Sequence, residues 1–201
     1  VNTIVNASTG GAIIGAAEPP VHEGMVPAPL SPYGASKLAV EGYCSAYAAS
    51  YKMQAASLRF SNVYGPRSWH KGSVVAHFIK QILKGEPVTV YGDGTQTRDY
   101  VHARDLADGI AGALDAGVAG PIQLGTGKGT PLNDIIALLR EISDEDFEVR
   151  YEEFRAGEIV HTWCDISRAR EMIGYDPRIG LAEGLEETWR WFIDNRTRLS
   201  L

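Results

Sequence analysis

Strand-like and helix-like segments alternate along the whole chain, and this alternation limits the possible folds more than any single motif does. Thr3–Ala7 reads as a short buried strand ending in the polar turn Ser8-Thr9-Gly10-Gly11. A loop over residues 17–31, holding Pro19, Pro20, Pro27 and Pro29, leads to a helix predicted over Pro32–Tyr51. Ser31 is its N-cap, and Pro32 suits the first turn, where the missing N–H has no intrahelical partner anyway. Ala55–Phe60 reads as the next strand, closed by a turn at Asn62-Val63-Tyr64-Gly65-Pro66. Residues 74–83 form an apolar helix ending at Lys84-Gly85, and Val88–Tyr91 is a strand before the turn Gly92-Asp93-Gly94. The helix Ala103–Ala116, the strand Ile122–Leu124, the helix Leu132–Ile142 and the strand Phe147–Tyr151 follow, and the helices Ser167–Ile173 and Leu181–Asn195 close the chain. The expected fold is α/β with parallel strand pairing, and a change of composition near Ser68–Gly72 marks passage into a second lobe.

Composition narrows the function. With 44% hydrophobic and 22% charged residues in a chain of 201, a sizeable core can form in one large domain, or one domain with an appendage. A net charge of −6 without any basic run removes the electrostatic reason to bind nucleic acid or an anionic membrane. No stretch is long and apolar enough to span a bilayer, and a cytoplasmic protein is expected. Cys44 and Cys164 lack metal-ligand spacing and read as two reduced, buried thiols. His70, His77, His102 and His161 stand far apart without HxxH spacing, so no metal site is expected. Gly125-Thr126-Gly127-Lys128-Gly129 lacks the GxxxxGK[ST] spacing and reads as a strand-to-helix turn. Trp189, Trp191 and Phe192 read as packing residues, Asp144-Glu145-Asp146 as a solvated loop, and His102 and Asp105 as part of a turn and helix cap.

One spacing carries chemistry. In SPYGASK, residues 31–37, Tyr33 and Lys37 stand four apart at the start of a helix and project from one face. An ammonium beside a phenol favours the phenolate, which can take a proton from an alcohol and return it near neutral pH. The lysine can also bond a ribose hydroxyl. The motif follows a strand that ends in the hydroxyls Ser8 and Thr9, at the strand's carboxyl end, where ligands sit in open α/β sheets. This set suits proton removal coupled to hydride transfer.

Seven segments carry a resemblance across essentially the whole chain: ASTGGAIIG at 7–15, SPYGASK at 31–37, LRFSNVYGPR at 58–67, YGDGTQTRDYVHARDLADG at 91–109, LGTGKGT at 124–130, RAGE at 155–158 and DISRARE at 165–171. Together they resemble the extended short-chain dehydrogenase/reductase superfamily, and within it the NAD-dependent epimerase/dehydratase family acting on nucleotide sugars, with UDP-glucose 4-epimerase the nearest type. The resemblance implies the C-terminal part of a doubly wound Rossmann-type parallel sheet plus a smaller α/β substrate-binding lobe. Residues 1–67 would be the residual part of the NAD-binding domain, and residues 68–201 mainly the substrate lobe, with segments returning to the first domain around 95–125. The GxxGxxG fingerprint and the Rossmann units that bind the adenosine and pyrophosphate would precede Val1.

The same resemblance implies the roles of individual residues. Tyr33 would be the catalytic base, and Lys37 would orient the nicotinamide ribose and favour the phenolate. Counted back from Gly15, the place where many relatives carry the third hydroxyl is Gly10; here the hydroxyls precede it, so Thr9 is favoured and Ser8 is second. Phe60, Ser61 and Val63 would pass beside the nicotinamide of NAD. Asn62 would contact the nucleotide sugar, Arg98 and Arg155 would clamp the diphosphate, Glu158 would hold the nucleotide ribose, and Val88–Tyr91 would flank uracil. Gly10-Gly11-Ala12 offers no carboxylate of the kind water elimination needs, which favours an epimerase over a dehydratase. The implied reaction is epimerisation by transient oxidation at C4, in a homodimer built on the helix starting at Pro32. Two alternatives stand beside it: a non-catalytic fragment binding a nucleotide sugar or a partner chain, and another NAD-dependent dehydratase, reductase or decarboxylase of the family.

Overall fold

A computed structural model describes residues 2–154 and 159–199. In chain order the elements are β1 (Thr3–Thr9), α1 (Gly11–Ile14), α2 (Pro32–Tyr51), β2 (Gln54–Phe60), β3 (Asn62–Tyr64), α3 (Val74–Lys84), β4 (Val88–Tyr91), β5 (Thr97–Arg98) and β6 (Tyr100–His102). Then come α4 (Ala103–Ala116), β7 (Gly120–Leu124), β8 (Thr130–Pro131), α5 (Leu132–Ser143), β9 (Val149–Glu152), α6 (Ser167–Ile173), α7 (Leu181–Asp194) and α8 (Arg196–Leu199).

Three strands form a parallel sheet in the order β1-β2-β7, with Thr9 opposite Phe60 and Phe60 opposite Leu124. Parallel pairing requires crossovers, and α2 supplies the one between β1 and β2. Residues alternate between the two faces. Arg59 reaches Glu41 of α2 on one face, while Leu124 meets α4 at Gly109 on the other. The apolar side chains Leu58, Ile122 and Leu124 close a core with Leu106, Ala113, Ala169 and Tyr175.

The predicted turn at residues 62–66 is corrected by the structure. Asn62–Tyr64 is a short strand, β3, parallel to β6, and the turn begins only at Gly65, whose φ is 145°. The chain thus leaves one sheet at Phe60 and enters another pairing at Asn62. The Ser61 N–H bonds Leu124 O and the Asn62 N–H bonds Asp99 O. β1 likewise runs through Thr9, and α1 begins at Gly11, where a turn was expected. β5 and β8 pair antiparallel, the exception to the parallel expectation. Cys44 is half-buried, not buried; Cys164 is buried.

A second apolar cluster lies around α3, β4, α5 and α7. In α3, Val75, Phe78, Ile79, Ile82 and Leu83 recur at helical spacing and are all buried, each contributing roughly 1.5–3 kcal/mol. Gly85 in the left-handed region ends the helix. Trp189 and Phe192 of α7 are buried in this cluster. His102 caps α4, its ring nitrogen accepting the Arg104 N–H, while the Asp105 carboxylate takes the N–H groups of Arg178 and Ile179. No helix among the described residues is long and apolar enough to cross a membrane.

Burial sets a pH dependence. It pushes the Tyr100 phenol up to about 12, and it raises the Tyr64 and Tyr175 phenols and the Cys164 thiol. Each group stays protonated in the folded chain while its unfolded counterpart ionises above its ordinary value of 10.0, or 9.0 for the thiol. The unfolded state therefore loses protons first, and stability falls as pH rises from about 9 towards 12. Burial lowers the pKa of His102 instead, so stability is lost as pH falls below about 6.5. Urea midpoints measured from pH 5 to 11 should show a plateau between these limits; a flat profile up to pH 11 contradicts the buried phenols.

Candidate active site

The site begins with how α2 is anchored. Ser31 Oγ accepts the Gly34 N–H at 3.1 Å, closing the first turn. Gly34 then passes so close to α1 that a Cβ there would lie 2.1 Å from Ala12 O. Only glycine permits this approach, and it sets Tyr33 beside the carboxyl end of β1.

From Tyr33 a row runs along the helix at four-residue steps. Lys37 Nζ donates to Ala7 O of β1 at 3.0 Å and lies 5.8 Å from the centroid of the Tyr33 ring. Glu41 is nearly buried and bonds Arg59 through two contacts, Nε to Oε1 at 2.9 Å and Nη2 to Oε2 at 2.7 Å. Its Oε1 also accepts the Ser8 hydroxyl at 2.6 Å. Ser8 thus spends its one O–H on Glu41, whereas Thr9 takes the next position in the strand and points to the opposite side.

Two cavities meet at this edge. One, of about 220 Å³, is lined by Tyr33, Ser8, Thr9, Phe60, Ser61, Asn62 and Val63, and also by Tyr64, Lys71, Val74 and Tyr100, among others. The other, of about 290 Å³, is lined by Thr9, Gly10, Gly11, Ala12, Ser61, Asn62, Arg98, Gln123 and Trp163, among others. They share Thr9, Phe60, Ser61 and Asn62 as a common wall. Of the residues singled out in the sequence, Tyr33, Ser8, Thr9, Phe60, Ser61, Asn62, Val63 and Arg98 therefore converge, while Lys37 stands off the cavity walls beside the Tyr33 ring. Arg98 Nη1 is held by Thr97 O and Val160 O, at 2.9 and 3.0 Å. Arg155 and Glu158 lie outside the described residues.

Two further residues shape the floor. Asp99, almost fully buried, accepts the Thr126 N–H and hydroxyl at 2.7 Å each and the Gly127 N–H at 3.0 Å, and Cys164 donates to it through Sγ at 3.3 Å. The glycine-rich turn after β7 is thus spent on an internal carboxylate. Gln123, the other, lines the larger cavity with a fully buried side chain. Neither it nor Glu41 belongs to a recognisable motif. The signals are a lone amide inside the apolar run of β7 for Gln123, and a carboxylate one more helical turn beyond Lys37 for Glu41. Among the described residues no group of three or more His, Cys, Asp or Glu could hold a metal ion.

A sheet of parallel strands with a Tyr–Lys helix at its carboxyl edge defines the class: a Rossmann-type α/β protein of the short-chain dehydrogenase kind. A profile of the NAD dependent epimerase/dehydratase family matches residues 1–125, and the chain belongs to that family. It is similar to a candidate UDP-glucose 4-epimerase of Methanocaldococcus jannaschii, 38% identical over 200 residues, covering 97% of this chain and 64% of the relative. Among solved structures it is similar to UDP-glucose 4-epimerase of Thermotoga maritima with UDP-glucose, at TM-score 0.92 and 37% identity over 97% of this chain and 64% of that one. The Thermus thermophilus UDP-glucose 4-epimerase complex with NAD gives TM-score 0.89 and 37% identity, over 96% and 64% of the two chains. The chain thus spans just under two thirds of the length of each of these relatives.

Proposed function

We propose that this chain carries the catalytic helix and substrate lobe of an NAD-dependent nucleotide-sugar epimerase that acts at C4 of a UDP-sugar. The observation that carries the reading is the row Tyr33–Lys37, with the ammonium 5.8 Å from the phenol ring and the tyrosine on the wall of a cavity shared with Thr9 and Asn62. In this reading residues 1–67 are the remaining part of the NAD-binding domain and residues 68–201 mainly the substrate lobe, with 95–125 returning to the first. The pairing of β7 with β2 and the separate apolar cluster around α3 and α5 support that division.

The donor set suits the nicotinamide-ribose end of NAD. Lys37 uses one N–H on Ala7 O, and its ammonium has three, so two remain for ribose hydroxyls. Phe60, Ser61 and Val63 line the same cavity as Tyr33. NAD, when bound, supplies the hydride acceptor and donor. Tyr33 takes the proton of the sugar 4-hydroxyl and returns it after inversion. The Lys37 ammonium stabilises the charge that develops on the phenol oxygen. Thr9 donates to the reacting oxygen; Ser8 Oγ is committed to Glu41 and is the weaker candidate. Asn62 contacts the sugar, and Arg98 and Arg155 hold the diphosphate with Glu158 on the nucleotide ribose.

A homodimer through α2 belongs to the same proposal. Of its 20 residues only Gly34 is buried, and Val40, Tyr43, Tyr47 and Tyr51 are exposed. The test of the function is direct. Joined to the NAD-binding units that the family resemblance implies, the chain with NAD and UDP-glucose is expected to yield UDP-galactose, and UDP-galactose to yield UDP-glucose, as followed by NMR. Binding of UDP-glucose without conversion would leave a nucleotide-sugar binder and remove the catalytic reading.

A further inference from the structure

Gln123 stands in an apolar strand between Ile122 and Leu124, both fully buried, and its own side chain has no exposure. Among the described residues neither Oε1 nor Nε2 of its amide has a hydrogen-bond partner. Its backbone is occupied, the N–H donating to Glu23 Oε1 at 2.7 Å. A buried amide left unpaired costs free energy, and a fold keeps such a group where something outside the fold completes it.

The amide's position says what that could be. Gln123 lines the larger cavity together with Thr9, Gly10 and Asn62. An ideal Cβ on Gly10 would lie 2.4 Å from Gln123 Oε1, so the amide fills the space where a side chain at position 10 would stand. Gly10 itself has φ −76° and ψ −71°, which any residue can adopt. The glycine is therefore explained by the glutamine and not by backbone geometry. The amide offers both a donor and an acceptor, which matches a hydroxyl group, itself both donor and acceptor.

We infer that Gln123 is a specificity-determining residue: its amide hydrogen-bonds a hydroxyl of the sugar bound in this cavity, and Gly10 makes the room for it. The inference rests on the nucleotide-sugar reading above and adds the residue that distinguishes the sugar from the bare nucleotide.

The experiment is a pair of titrations, UDP and UDP-glucose, by calorimetry on the full chain and on Gln123→Leu. The ratio of the UDP-glucose Kd to the UDP Kd is expected to rise by about 10–100-fold in the variant, with the UDP Kd itself unchanged. Because no internal bond is lost, Gln123→Leu should unfold at a urea midpoint equal to or above that of the parent. Gly10→Ala, whose methyl group displaces the amide, should raise the same ratio and stands as the second variant. An unchanged ratio in both variants overturns the inference and leaves the nucleotide-sugar reading intact. So does an equal loss of UDP affinity, or a lower midpoint showing that the amide was bonded within the fold. A parent chain that binds neither probe overturns the nucleotide-sugar reading and this inference with it.

Discussion

Replacing Tyr33 by Phe is expected to lower kcat by about 10²–10⁴-fold, the range that a positioned acid–base group contributes. The substitution removes one oxygen and little else. Tyr33 is 56% exposed, so the phenol contributes little to the core, and the ring that faces the Lys37 ammonium is kept. The Kd for UDP-glucose should therefore stay within about threefold and the unfolding midpoint should not move, since surface changes away from special features sit within ±0.5 kcal/mol. A loss confined to kcat is the mark of an interaction made in the transition state alone. Turnover retained within about threefold would remove Tyr33 from the chemistry and with it the proposed mechanism, whatever the chain binds.

Why this helix could be read in advance, and some of its neighbours could not, is a matter of range. Ser31 and Pro32 mark the start of α2 by local chemistry, and Gly85 marks the end of α3 by its positive φ; both boundaries follow from residues adjacent in the chain. β3 has three residues, too few to show a period, and the Gly65-Pro66 pair beside it gives a strong turn signal that concealed it. β5 and β8 have two residues each and exist only because distant segments meet. The choice between Ser8 and Thr9 shows the same limit. Alternation places them on opposite faces of β1, but which face holds a competing carboxylate depends on Glu41, more than 30 residues away and brought in by the packing of α2. Gln123 is the mirror case. Its polarity inside an apolar strand was visible, while its lack of a partner is a property of the assembled cavity. Asp99, beside Arg98 in TQTRDY, finds its partners in the turn at 126–127 and in Cys164, both distant in the chain.

The same packing yields the largest stability effect expected here. Glu41→Ala should destabilise the chain by about 3–5 kcal/mol, because it leaves the Arg59 guanidinium buried without its counter-charge. Arg59 is 3% exposed, its Nη1 already lacks a partner, and both of its paired nitrogens bond Glu41. The charge cannot escape by deprotonation, since arginine stays ionised. For a domain of this size the loss corresponds to a fall of roughly 6–20 °C in Tm. Glu41→Gln keeps the shape and one acceptor and should lose less. Replacing the pair together, Glu41→Leu with Arg59→Leu, should recover much of the loss, because a buried ion pair is often no better for stability than an apolar pair of similar volume. What the double replacement cannot restore is the anchor. Glu41 holds Ser8 by its hydroxyl at 2.6 Å and pins α2 across β1 and β2, the arrangement that presents Tyr33 and Thr9 to one cavity. The double variant should therefore be stable and yet slow, separating what the ion pair does for the fold from what it does for the site. A stable double variant with parental kcat would show that α2 is held in place by Gly34 and the apolar contacts alone.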